Sequence, residues 1–340
     1  MEHTDFYSSC HICPRKCRVN RNSDQYGFCK EPASLRIAFA GLHFGEEPLV
    51  TVFGGSGTIF FTGCTLRCAF CQNYQISQNG YGRPVSSKEF TEICLKLQAN
   101  GAENINLVTG SHHIPLIAQY LKDARSAGVT IPYCWNSSAY ESVEMLELLK
   151  GLVTIWLPDL KTLSSSLSNS IFAAPDYPEV AVKAISWMIK NNPLKIEEKP
   201  WFEGAKSTEW AEDGKPRDKM LGGVIIRHLF LPGKFEETAE VLSWLKQNAD
   251  GKAVLSLMNQ YTPVPFMENP EQLKKRSKAL QSIENRLVNQ QEFEDIQDLL
   301  EAFDFEYLYY QELTDDTSWL PDFTKPQPFS NKLAFPLWHC

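Results

Sequence analysis

Gly63-Cys64-Thr65-Leu66-Arg67-Cys68-Ala69-Phe70-Cys71-Gln72-Asn73-Tyr74 decides how the chain is read. Three cysteines at spacing CxxxCxxC follow directly on an apolar run, Thr58-Ile59-Phe60-Phe61. Three thiolates on one short loop can hold three irons of a four-iron, four-sulfur (4Fe-4S) cluster, and the fourth iron then keeps a position open to a reactant. Structural zinc closes with four ligands, so a bare triplet suits zinc less well. The plainer alternative is a set of buried or disulfide-bonded cysteines. Tight spacing on a loop that follows a strand favours the cluster.

CxxxCxxC with an aromatic residue, Phe70, just before the third cysteine resembles the radical S-adenosylmethionine (SAM) superfamily. The wider wording from Gly55 to Tyr74, GSGTIFFTGCTLRCAFCQNY, resembles uncharacterised relatives of the pyruvate formate-lyase activating enzyme.

With 340 residues the chain can form one sizeable α/β domain with elaborations, or two small domains. Apolar residues make up 43% and charged residues 22%, an ordinary globular composition. The formal net charge is -8 and no basic stretch offers a nucleic-acid footprint, so no nucleic acid is expected. No apolar run approaches ~18 residues, so no membrane span is expected either. The start, Met1-Glu2-His3-Thr4-Asp5, lacks the basic and apolar parts of a signal peptide. The expected location is cytoplasmic, where thiols stay reduced; metal sites are then a better reading of ten cysteines than disulfides. Cys94, Cys134 and Cys340 fall outside the two tight groups, and Cys94 sits on an apolar helical face.

The second group is Cys10-His11-Ile12-Cys13-Pro14-Arg15-Lys16-Cys17, closed by Cys29. The intervening segment, 18–26, is polar and has no core of its own, so a metal is expected to order it. Zinc and a second iron-sulfur cluster both fit four cysteines in this pattern. The family resemblance extends to this segment.

Strands are predicted at Leu35–Ala40, Thr58–Phe61, Ile105–Thr109, Val129–Ile131, Leu152–Leu157, Gly223–Ile226 and Ala253–Leu257, with Tyr307–Tyr310 as a last strand or packed segment. Amphipathic helices intervene; Ser86 and Ser138 are expected to cap two of them. Counting from Thr58, six strand-helix units suggest a partial (β/α)6 TIM-like barrel, and the resemblance implies the same; a doubly wound open sheet is the alternative. The expected organisation is an N-terminal metal-binding segment (1–50), the partial barrel (51–262) and a C-terminal helical extension and tail (263–340). Residues 191–219 are polar, with Trp201, Phe202 and Trp210 scattered through them, and read as an insertion or lid. The proline-rich tail from Leu320 reads as extended and wrapped on the surface.

Parallel barrels gather their reactive groups at the C-terminal ends of the strands. Polar residues recur there: Thr109-Gly110-Ser111-His112-His113, Asn136-Ser137-Ser138, Asp159-Leu160-Lys161, Arg227-His228 and Asn259-Gln260-Tyr261. Each alone reads equally as a cap or turn; their agreement is the signal. The resemblance implies a Gly-Gly-Glu at the second strand end, where Thr109-Gly110-Ser111 stands without the acid. It also implies that Asp159 and Lys161 lie beside SAM and that His228 lies near the adenosine. Leu231-Pro232-Gly233, and more weakly Trp319 to Phe323, extend the match. The expected SAM-contacting set is Phe70, Thr109, Gly110, Asn136, Asp159, Lys161 and His228, with Cys64, Cys68 and Cys71 on the cluster.

The implied chemistry is reductive cleavage of SAM and hydrogen-atom abstraction, which needs no acid-base pair. A reductant such as flavodoxin or ferredoxin is implied. The expected substrate is a glycine of a glycyl-radical-type partner protein. A small metabolite or peptide is the alternative, and a non-catalytic iron-sulfur electron carrier or scaffold is a third.

Overall fold

In the computed structural model, which describes residues 4–201, 214–329 and 333–340, the strands join one eleven-stranded sheet. They are β1 (Arg36–His43), β2 (Ser56–Phe61), β3 (Arg83–Pro84), β4 (Ile105–Val108), β5 (Tyr133–Ser137), β6 (Ile155–Pro158), β7 (Lys195–Lys199), β8 (Arg217–Leu229), β9 (Val254–Met258), β10 (Leu308–Tyr310) and β11 (Ala334–His339). The order is β10-β9-β8-β6-β5-β4-β2-β1-β11, with β3 paired to β1 and β7 to β8. From β2 through β4, β5, β6, β8 and β9 to β10, every pairing is parallel. Each strand of that run lies beside its successor, so the order never reverses. A doubly wound sheet needs a reversal; a singly wound run is the arrangement of a partial barrel. The expected strands from Thr58 onward, except the one placed at Val129–Ile131, are thus present in a mixed α/β sheet, and Leu308–Tyr310 adds one more to the parallel run.

β2, β4, β5 and β6 are buried along their whole lengths, as parallel strands covered on both faces must be. The helices Ser87–Ala99, Ile114–Ser126, Tyr177–Asn191 and Phe235–Asn248 cover one face with Phe90, Ile93, Ile117, Leu121, Ile185, Met188, Val241 and Leu242. On the other face Leu49 and Val50 of the short helix Pro48–Thr51 pack with Cys134, Ile155, Leu157, Ile225 and Val254. That helix plugs the concave side.

Several local expectations change. The strand predicted at Val129–Ile131 lies instead at Tyr133–Ser137. The amides of Thr130 and Ile131 donate to the Gln98 side chain rather than to a sheet, while Asn136 and Ser137 make the true strand look like a loop. Ser142, not Ser138, caps the next helix, accepting from the Met145 amide. Ser86 does cap its helix, but Glu89 turns away to Arg83 and Trp338. The helix Ser165–Phe172 is absent from the sequence reading, its serines giving little apolar periodicity. The tail is not merely wrapped: β11 pairs antiparallel with β1 and covers its edge.

Polar composition hides an antiparallel pair between 191 and 219. β7 runs against the start of β8, from Lys195 opposite Gly222 to Lys199 opposite Arg217. This ribbon precedes the parallel part of β8, and Lys199 and Lys219 both pair with Glu103 just ahead of β4. Its described arms therefore lie at the N-terminal end of the parallel strands. Phe202 and Trp210 lie outside the described residues. Among the described residues, no helix is long and apolar enough to cross a membrane.

Deleting residues 334–340 is expected to lower the melting temperature and promote self-association, because β1 then presents an open strand edge. Thermal denaturation with light scattering checks this; an unchanged melting temperature would mean the β1–β11 pairing adds nothing to stability.

Candidate active site

The parallel strands point their C-terminal ends toward one rim, and alternation along each strand selects what faces inward. Asn136 of β5, Asp159 just past β6 and Arg227 of β8 share the concave side. Arg227 Nε donates to Asp159 Oδ1 at 2.8 Å, and its Nη2 donates to Asn136 Oδ1 at 2.5 Å. Lys161 Nζ donates to Asp159 Oδ2 at 2.8 Å. Glu46, ahead of the plug helix, lies 3.4 Å from both Arg227 Nη1 and Asn136 Nδ2. Tyr177 fixes the backbone beneath: its hydroxyl donates to Asp159 O at 2.8 Å and accepts from Lys161 N at 2.9 Å.

Charge states follow from this packing. Burial works against the Asp159 carboxylate, but Arg227 and then Lys161 outweigh it and hold its pKa below the usual carboxylate range. Burial likewise opposes the Lys161 charge, yet Asp159 and the nearby Cys68 raise its pKa. Glu46 is pushed up by burial, with Arg227 pulling the other way.

The cysteine loop sits beside this network. Cys64 and Cys68 are buried and Cys71 is half-buried. Burial pushes the Cys68 thiol up, and Lys161 is the leading influence that lowers it. Cys64 Sγ accepts from the amides of Leu66 (3.3 Å) and Arg67 (3.5 Å), and Cys71 Sγ lies 3.3 Å from Ser77 Oγ. Amides aimed at sulfur favour a thiolate, the form that ligates iron. The donor set therefore fits an iron-sulfur cluster. Phe70 packs edge-on to Phe172 and Tyr261, fixing the loop between its last two cysteines.

The other expected residues divide. Thr109 takes a left-handed backbone (φ 64°), and its amide donates to Asn136 O. A side chain at Gly110 would lie 2.8 Å from the Trp135 ring, so glycine is required there for close approach. His228 is not brought into the network. It faces the helix layer, with Nδ1 donating to Leu160 O at 2.7 Å and Nε2 accepting from Thr238 at 2.9 Å. Burial lowers its pKa to about 4. Its neighbour Arg227 takes the inward position. Ser111 Oγ donates to buried Glu141 at 2.5 Å, so an acid from the next strand end stands beside Thr109-Gly110-Ser111. Glu46 and Tyr177 carry no local motif, and Glu141 reads only as part of a helix cap. Arg227 alone had a signal, its inward register on β8.

Cys10, Cys13 and Cys29 are buried and Cys17 is half-buried. Burial pushes Cys13 up to about 12, with Cys29, Cys10 and Cys17 all near enough to add to the rise. Phe28 N donates to Cys17 Sγ at 3.4 Å, and Gly27 lets that sulfur approach to 2.9 Å of where a Cβ would stand. Among the described residues these four sulfurs do not converge within 4.8 Å of one another, so the expected N-terminal metal site is not formed as a closed ligand set here. His11 points instead to Ser9 O. The group that does converge within 4.8 Å among the described residues is Glu31, His112 and His113, but guanidiniums already fill it: Arg36 pairs with Glu31 at 3.1 Å and Arg21 lies 3.0 Å from His113 Nε2.

The sequence model of the family described as the Radical SAM superfamily matches residues 58–193. An uncharacterized protein of Methanocaldococcus jannaschii is 29% identical over 313 residues, covering 90% of this chain and 78% of its own length. SuiB of Streptococcus suis, solved bound to S-adenosylmethionine, is similar over 73% of this chain and 45% of its own, at 12% identity and a TM-score of 0.41. A domain of a pyruvate-formate lyase-activating enzyme from Bacteroides vulgatus is similar over 59% of this chain and 92% of its own, at 11% identity and 0.35. The chain thus spans less than half the length of SuiB.

Arg227→Met is expected to cost about 3–5 kcal/mol, because Asp159 and Glu46 stay buried without their shared cation. In the wild type Asp159, with its lowered pKa, contributes stability that is lost as pH falls, whereas Glu46, raised by burial, contributes stability that is lost as pH rises. Arg227 lowers both groups, so its removal should weaken the first contribution and enlarge the second. Melting curves from about pH 5 to about 8 decide it, the variant's deficit widening as pH rises. For the N-terminal thiols, Cys10→Ala with Cys13→Ala is expected to remove one metal from anaerobically purified protein. Loss of zinc makes the site structural, loss of iron makes it a second cluster, and an unchanged metal content excludes it.

Proposed function

We propose that the chain is a radical SAM enzyme that binds SAM against the Cys64, Cys68 and Cys71 loop and abstracts a hydrogen atom from a glycine of a partner protein; the family model over residues 58–193 supports this. When bound, a 4Fe-4S cluster and SAM supply the one-electron cleavage that gives methionine and a 5'-deoxyadenosyl radical. The observation that carries the reading is Lys161, held by Asp159 and close enough to Cys68 to act on its thiol. A cation fixed there can pair with the SAM carboxylate. Arg227 and Asn136 hold Asp159 in place, and Tyr177 fixes the turn that carries both Asp159 and Lys161. Thr109 and Gly110 line the adjacent strand end. His228, neutral and pinned to Leu160 O, acts by positioning Asp159-Leu160-Lys161 rather than by touching ligand.

A protein substrate needs an approach at the C-terminal rim. The described arms of 191–219 leave from the opposite end, which supports the partner reading over a small metabolite or peptide in a closed pocket. Reducing surroundings, as in the cytoplasm, suit both sets of free thiols. A purely electron-carrying or scaffolding role gives no reason for Asp159, Lys161 and Arg227 to converge beside the loop.

Cys68→Ala is expected to abolish formation of 5'-deoxyadenosine under anaerobic reduction; product retained at the wild-type rate would refute the cluster assignment. Lys161→Ala should weaken SAM binding by about 1.5–3 kcal/mol through loss of a charge-assisted contact, read by anaerobic titration. With reduced enzyme, SAM and a glycine-deuterated partner, deuterium should appear in 5'-deoxyadenosine and a glycyl radical in the partner's electron paramagnetic resonance spectrum. Deuterium arriving only from a small molecule would select the other substrate class.

A further inference from the structure

Two cations stand at the Cys64–Cys71 loop. Lys161, beside Cys68, has Asp159 as its anion. Arg67 lies within the loop itself, half-buried. Burial opposes its charge, and Cys64 is the leading influence that sustains it, ahead of Cys29. Its backbone is left-handed, with φ 54°. Glycine or asparagine takes that conformation at less cost than arginine does, so the residue is held there by its surroundings. Its amide donates to Cys64 Sγ at 3.5 Å, and its Nη2 donates to Gln78 O at 3.3 Å. Nη1 is buried and has no hydrogen-bond partner, the one buried guanidinium nitrogen of which that is true among the described residues.

The neighbouring guanidiniums are all engaged. Arg276 is closed by Glu268, Ala69 O and Gln78 Oε1. Arg36 takes Glu31. Arg15 donates through Nε to Thr65 O at 3.0 Å and through Nη2 to Phe172 O at 2.7 Å. Glu268, which also acts on Arg67, is thus committed to Arg276. A cation out of water calls for an anion, and the anion that the loop offers Arg67 is sulfur.

We propose that Arg67 is the counter-charge of a 4Fe-4S cluster held at Cys64, Cys68 and Cys71, and that it raises the reduction potential of that cluster. The inference rests on the cluster assignment made above. One electron from an external one-electron donor adds one negative charge beside Cys64; the donor is oxidised by one equivalent, no bond forms and no proton moves. A fixed positive charge at that position favours the reduced state over the oxidised one. Net charge and hydrogen bonds to sulfur both set a cluster's potential, and Arg67 supplies the first directly and the second through Nη1. Lys161 does not take this part, because Asp159 already balances its charge.

The test uses the full-length protein with its cluster assembled anaerobically. Iron and sulfide content establish that the cluster is in place, and a dithionite titration followed by electron paramagnetic resonance gives its midpoint potential. Arg67→Met should lower the midpoint by at least a tenfold change in the reduction equilibrium, about 59 mV for one electron. Arg67→Lys, which keeps the charge, should recover at least half of that shift. A midpoint in Arg67→Met equal to that of the wild type, or a Lys variant that falls as far as the Met variant, would overturn the proposal. Should Arg67→Met bind less iron than the wild type, Arg67→Gln takes its place under the same criteria, since it is neutral but keeps a donor for Gln78 O. Failure of both neutral variants to hold a cluster would also overturn the proposal and make Arg67 a structural residue of the loop. A wild type without iron would refute the cluster assignment itself; an iron-loaded wild type whose potential ignores the charge at 67 would remove this inference alone.

Discussion

Asp159 is the fulcrum of the molecule. Its two oxygens take Arg227 from β8 and Lys161 from its own strand end, and through Arg227 it reaches Asn136 and Glu46. A buried carboxylate is costly unless paired and hydrogen-bonded, so this one dictates that three strands and the segment before the plug helix meet at a fixed spacing. The same pairing keeps Lys161 charged beside Cys68. Fold and electrostatics are therefore one constraint, since the ions that hold the strand ends in register also set the charge beside the cysteine loop.

The singly wound strand order shows why such a site is possible. Successive parallel strands present successive C-terminal ends to one rim, and inward residues alternate with residues packed under the helices. His228 and Arg227 illustrate the rule. They are neighbours in sequence, yet one is spent on Leu160 O and Thr238 and the other completes the polar network. The family resemblance points at His228; the register puts Arg227 in the polar network instead.

Much of this was legible in the sequence because it is local. CxxxCxxC after an apolar strand, Asp159-Leu160-Lys161 after another, and the helices with apolar stripes all carry their signal within a few residues. What was hidden is long-range or polar. β5 looked like a loop because it ends in two polar residues, Asn136, which joins the network, and Ser137, which accepts from the Ala139 amide. β7 looked like a loop because its partner is the equally polar start of β8. Glu46, Glu141 and Tyr177 reach the site from elements whose placement only tertiary packing sets, and β11 finds β1 across nearly the whole chain.

The cysteine loop is held at its carbonyls by two guanidiniums from distant parts of the chain, Arg15 on Thr65 O and Arg276 on Ala69 O. The first lies 50 residues before its partner and the second 207 residues after. On a ribosome the first clamp is in hand when the loop emerges. The second, at roughly 5–20 residues per second, arrives on the order of 10–40 s later. A nascent chain thus carries its thiols braced on one side alone for most of its synthesis, and the loop acquires its finished shape as a late event of biogenesis.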